Sequence, residues 1–167
     1  MSKEEMYTDT TTSCSGNALV SACLLGVNCR YDAGSVLNKS VFRFLEENKL
    51  NPIPVCPEQL AGFPTPRKKC EIRDGDGFDV IDGRAKVYTE DGEDVTELFL
   101  RGAEETLRIA RIVKAKVAIL KSFSPSCGAG KIYDGSFSGK IKEGWGVTAA
   151  MLKKAGIEVV SDLKLGD

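Results

Sequence analysis

The chain has no histidine among its 167 residues, which excludes Ser/His and Cys/His nucleophilic pairs and every imidazole metal ligand. Acid and base work falls to Asp, Glu, Lys, Tyr, a thiol or metal-bound water. No run approaches the roughly 20 apolar residues of a membrane-spanning helix, and residues 1–17 are polar where a secretory signal carries an apolar stretch. The expected location is therefore the cytoplasm. Net charge is nearly absent as well, −1 from 23 Lys and Arg against 24 Asp and Glu. Broad attraction to extended nucleic acid or anionic lipid is not expected, and a small ligand is the simpler partner. A Cys-x-x-Cys motif is also missing, which speaks against a thiol redox protein and against the familiar paired zinc spacing.

What is present suits one compact domain with a real core: 42% hydrophobic and 28% charged residues. Residues 1–16 are rich in Thr, Ser, Glu and Lys and read as a flexible tail, with Cys14 incidental in it. Residues 17–167 form the expected domain. In a reducing compartment its cysteines are metal ligands, reactive thiols or buried apolar residues rather than disulfides.

Apolar runs at 18–25, 53–56 and 117–120 read as strands buried on both faces, and 157–160 as a final strand. Helices are expected from the Asn38 cap to about Asn48, after Asp94-Val95-Thr96-Glu97, and over 147–154 before Gly156. Pro57, Gly62, Pro64 and Pro66 suggest an irregular loop after the second strand. Asp-Gly turns between about 71 and 93 suggest an inserted β-ribbon. The alternation predicts an α/β fold, a small parallel sheet flanked by helices (Rossmann-like).

Cys23, Cys56 and Cys127 each sit where an apolar run gives way to small or turn-forming residues. If those runs are neighbouring parallel strands, the three thiols meet at the carboxyl edge of the sheet. Thiolates are soft donors for zinc or iron–sulfur clusters; four close a structural site, whereas three leave a position open. Each cysteine alone can instead fill the core as a small apolar residue. Cys29 is a rival fourth ligand from its loop, and Cys70 reads by default as a buried or free thiol.

The words around these cysteines carry a resemblance. Ser21-Ala22-Cys23-Leu24-Leu25-Gly26 with Arg30-Tyr31-Asp32, Pro54-Val55-Cys56-Pro57-Glu58, Pro66-Arg67, Glu71, Gly83, Leu120-Lys121 with Ser124-Pro125-Ser126-Cys127-Gly128, Ile132-Tyr133-Asp134-Gly135-Ser136-Phe137 and Gly146-Val147-Thr148 resemble the thiouracil desulfidase (TudS) family. One departure is Ala33 before Gly34, where the family usually has glycine directly after Arg-Tyr-Asp.

The resemblance implies an oxygen-sensitive [4Fe-4S] cluster held by Cys23, Cys56 and Cys127, and conversion of 2-thiouracil to uracil and sulfide without electron transfer. It places Glu58 as general base for water or proton shuttle, and Ser124 as a hydroxyl that holds the substrate. The iron without a protein ligand would bind the thiocarbonyl sulfur. Glu58 can alternatively cap a turn, and Ser124 can form a local hydroxyl-to-backbone turn beside Pro125. Arg30, Tyr31, Asp32, Arg67 and Asp134 are further pocket candidates, with salt-bridge or turn roles as the alternative, and Trp145 can cover a planar base or simply pack. The competing class is a non-catalytic zinc or iron–sulfur binding module completed by Cys29.

Overall fold

The computed structural model describes residues 15–165. Of residues 1–16, read as a tail, 1–14 with Cys14 lie outside the described residues, whereas Gly16 opens β1 and the Ser15 N–H donates to the Lys49 carbonyl at 2.8 Å. Among the described residues, eight strands and five helices follow in the order β1 (Gly16–Ser21), α1 (Lys39–Glu47), β2 (Leu50–Val55), α2 (Pro57–Ala61), β3 (Cys70–Arg73), α3 (Gly77–Ile81), β4 (Lys86–Thr89), α4 (Thr96–Ile112), β5 (Val117–Leu120), β6 (Ala129–Tyr133), β7 (Ile141–Trp145), α5 (Val147–Lys154) and β8 (Glu158–Ser161). Four of the strands form one parallel sheet in the order β2-β1-β5-β8. The Rossmann-like expectation holds.

The sheet is covered on both faces because β1 is apolar at every position from Ala18 to Val20. Ala18 and Val20 pack with Val41 and Leu45 of α1. Leu19, between them and on the opposite face, packs with Ala110 of α4 and Ala149 and Leu152 of α5. Asn38 caps α1 as expected, its side chain accepting from the Ser40 N–H at 2.8 Å. Asp94 accepts from the Thr96 N–H at the start of α4.

Register fixes where the chain leaves the sheet. Ser21 pairs with Val55, and Val20 with Ile119, so β1, β2 and β5 end at one level. Two expectations change here. The first strand stops at Ser21, and residues 22–25 form a 3-10 turn, so Cys23 lies in the turn rather than the strand. The expected irregular loop begins with α2, because Pro57 occupies the first helical turn, where its missing N–H costs nothing.

The inserted ribbon is present as the antiparallel pair β3 and β4, but α3 interrupts it. Asp76 caps α3 in a reciprocal arrangement with Asp79. A second ribbon, β6 with β7, occupies the glycine-rich segment. Both ribbons rest on a further apolar cluster that includes Ile72, Val87, Phe99 and Ile132. The additional Ala33 is absorbed in a tight turn with φ 63°, in which Asp32 accepts from the Gly34 N–H.

Candidate active site

The carboxyl edge of the sheet opens into a cleft of about 320 Å³. Cys23 enters it from the turn after β1, Cys56 from the residue between β2 and α2, and Cys127 from the loop after β5. Cys23 and Cys127 are buried and Cys56 is half-buried. All three expected ligands thus border one space. Glu58 and Ser124 line it too, as do Arg30, Tyr31 and Arg67.

Cys29 and Cys70 are also on the cleft wall. Cys29 is 2% exposed, its carbonyl accepts from the Cys56 thiol at 3.7 Å, and its thiol feels those of Cys23 and Cys56. The contact with Cys23 comes first among the causes that push the Cys29 thiol up to about 11. The Cys56 thiol is raised by its bond to Cys29 and then by burial. Burial pushes Cys127 and Cys70 up to about 12 each, with the hydroxyls of Ser21 and Ser124 acting the other way on Cys127. Without a bound metal these side chains are thiols at neutral pH. Among the described residues, no group of three or more Cys, Asp or Glu forms a metal-ion site as the chain stands.

Glu58 lies on α2, two residues past Cys56, and does not act as a helix cap. Arg67 donates from Nε to its carboxylate at 3.3 Å, with the two side chains 4% and 15% exposed. The same guanidinium donates to the Cys29 carbonyl at 2.9 Å and approaches the Cys56 sulfur at 3.9 Å. One arginine therefore ties the carboxylate to two thiol-bearing segments. Burial raises the Glu58 pKa, while Arg67 and then a hydrogen bond with Ser126 oppose the rise.

Ser124 forms the local hydroxyl-to-backbone turn weighed for it. Its oxygen accepts from the N–H groups of Ser126 and Cys127 at 3.1 and 3.0 Å, which sets the turn that presents Cys127. It also faces the cleft.

Three candidates belong elsewhere. Asp32 and Asp134 close local turns. Trp145 packs under Lys153, whose ammonium lies 4.0 Å from its ring centroid, and against Phe78. Sequence reasoning overlooked Ser126, although the doubled serine of Ser124-Pro125-Ser126-Cys127 was its signal. It passed over Phe123, and it quoted Glu71, Tyr133 and Phe137 as family words without a site role; all four are on the cleft wall, since only the fold brings the ribbons over the sheet edge.

Fold and site together define a Rossmann-like protein with a thiol-lined ligand cleft at the carboxyl edge of its sheet. The family model described as 2-thiouracil desulfurase matches residues 18–164, and the chain belongs to that family. The uncharacterized protein YbbK of Bacillus subtilis (strain 168) is 49% identical over 149 residues, covering 89% of this chain and 97% of its own length. A solved structure of the [4Fe-4S]-dependent thiouracil desulfidase TudS is similar with a TM-score of 0.76 at 39% identity, over 90% of this chain and 93% of that one.

Proposed function

We propose that residues 17–167 form an iron–sulfur-dependent desulfidase that converts a thiolated pyrimidine such as 2-thiouracil to uracil and sulfide. Cys23, Cys56 and Cys127 hold its [4Fe-4S] cluster, and Glu58 and Ser124 serve the reaction. The convergence of three thiols from three separate chain segments on one cleft, beside a half-buried carboxylate, carries this reading. Family membership and the likeness to a [4Fe-4S]-dependent thiouracil desulfidase support it.

The donor set suits the cluster. Thiolates are its usual protein ligands, and hydrogen bonds to their sulfur tune it. Arg67 at Cys56 and the serine hydroxyls at Cys127 are placed for that. When bound, the cluster supplies a thiophilic Lewis acid for the thiocarbonyl sulfur.

The remaining work falls to the chain. Glu58, with its pKa raised by burial, is a better base for water than an exposed carboxylate. It takes a proton as the water oxygen bonds to the ring carbon, and returns it to the ring nitrogen or the departing sulfide. Oxygen replaces sulfur and no electron is gained or lost. Ser124 keeps its hydroxyl proton for the substrate while its oxygen is held by backbone N–H groups. A reducing cytoplasm is the matching compartment; among the described residues, no helix is long and apolar enough to cross a membrane.

Cys29, on the cleft wall with Cys23 and Cys56, favours one second reading, a four-thiolate module without catalysis. Anaerobic reconstitution separates the two. Loss of thiocarbonyl absorbance from 2-thiouracil with sulfide release, retained in Cys29→Ala, supports the desulfidase. A loaded protein that leaves the absorbance unchanged supports the module.

A further inference from the structure

Phe123 and Phe137 are bulky residues with φ of 67° and 56°, in the left-handed region that such side chains rarely adopt. Both line the cleft. Backbone held in this region needs surrounding structure to enforce it, and for Phe137 the enforcing groups are visible.

The carboxylate of Glu71, 7% exposed on β3, accepts from the N–H of Gly135 at 2.9 Å and of Phe137 at 3.1 Å. Arg73, two residues along the strand, donates to the Gly135 carbonyl at 3.1 Å. Its guanidinium lies 5.9 Å from the Phe137 ring centroid. Gly135 itself has φ 94°, and a Cβ there would meet the Ile72 carbonyl at 2.6 Å, so no other residue fits against β3. The loop between β6 and β7 is therefore fastened to the other ribbon at its backbone.

We infer that Phe137 is the aromatic seat for the planar ring of the substrate, and that Glu71 is the positioning residue that holds it over the cleft. The inference rests on the proposed desulfidase reading and adds the residues that select a flat heteroaromatic thiocarbonyl. Phe123 and Tyr133, with ring centroids 6.0 Å apart, extend the same aromatic wall. Every base has a flat π-face, and such a wall gains from stacking on it, whereas a puckered ring cannot lie flush.

The test uses the reconstituted protein, with 2-thiouracil and its ring-saturated 5,6-dihydro counterpart as substrates and uracil as a binding probe. In Phe137→Ala, KM for 2-thiouracil and Kd for uracil rise on the order of tenfold. The preference for the unsaturated ring shrinks, while iron content and kcat change little. Glu71→Ala gives the same pattern. Glu71→Gln, whose amide oxygen still accepts both N–H groups, restores it.

Unchanged KM, Kd and ring preference in Phe137→Ala, or wild-type protein that does not bind uracil, would overturn the seat. A rise in Kd without any effect of Glu71→Ala would overturn the positioning role. Uracil binding that depends on Phe137 in a protein without turnover would support the seat and break the desulfidase reading instead.

Discussion

The cleft has two halves that are built differently. The sheet half carries Cys23, Cys56, Cys127, Glu58 and Ser124 on the segments that leave strands whose register is fixed by parallel pairing. The ribbon half carries Glu71, Tyr133 and Phe137 on two antiparallel pairs fastened by side chain-to-backbone bonds. Under the proposed function the first half sets rate and the second sets binding. Arg67 lies on the segment that joins them and reaches back to Glu58 and Cys29.

The strongest break of this comparison is Glu58→Gln. The cluster stays, binding of uracil stays, and desulfuration falls about 10²–10⁴-fold. Wild-type turnover in that variant would remove the base from the sheet half. Arg67→Ala strips the partner from a carboxylate whose side chain is 15% exposed and destabilises the fold by about 3 kcal/mol, read by denaturant melts. An unchanged midpoint would show that Glu58 needs no such support.

Gly102→Ala is a subtler probe. In a helix interior alanine is ordinarily favoured over glycine by about 0.8–1 kcal/mol, but a Cβ here would meet the Pro57 carbonyl at 2.3 Å. The expected outcome is a loss of about 1–3 kcal/mol, with slower turnover as α2 and its Glu58 shift. A more stable variant would contradict the tight α2–α4 packing.

The smallest effect is on pH. Cys29, Cys70 and Cys127 have folded pKa values of about 11, 12 and 12, above the ordinary 9.0. The folded state then keeps protons that the unfolded chain has lost. Cluster-free protein is thus fully stabilised by these thiols below pH 9 and loses that contribution as pH rises towards 12. Cys70→Ser should flatten part of this decline without touching the sheet half; an identical profile would place the effect elsewhere.

The same division governs what could be read from the sequence. Buried parallel strands announce themselves as apolar runs, so the sheet, α1, α4, α5 and the meeting of Cys23, Cys56 and Cys127 at one cleft were legible. Cys23 moved from strand to turn because Ala22 to Leu25 are as apolar as the strand before them. α2 was hidden because proline opens a helix as readily as it breaks one. α3 was hidden because Asp76 reads as a turn residue until its capping partner Asp79 is seen. The ribbon half stayed invisible as a site because Glu71 and Phe137 are 66 residues apart and meet only through tertiary packing. The place of Cys29 on the cleft wall was hidden for a related reason: its loop position gave no hint that it would border the same space as Cys23 and Cys56.

The most direct test is an iron and sulfide count after anaerobic reconstitution of four single variants side by side: Cys23→Ala, Cys56→Ala, Cys127→Ala and Cys29→Ala. The three-ligand site predicts that the first three lose the [4Fe-4S] complement and all turnover of 2-thiouracil, while Cys29→Ala keeps both. A full cluster in any of the first three, or its loss in Cys29→Ala, would contradict the assignment.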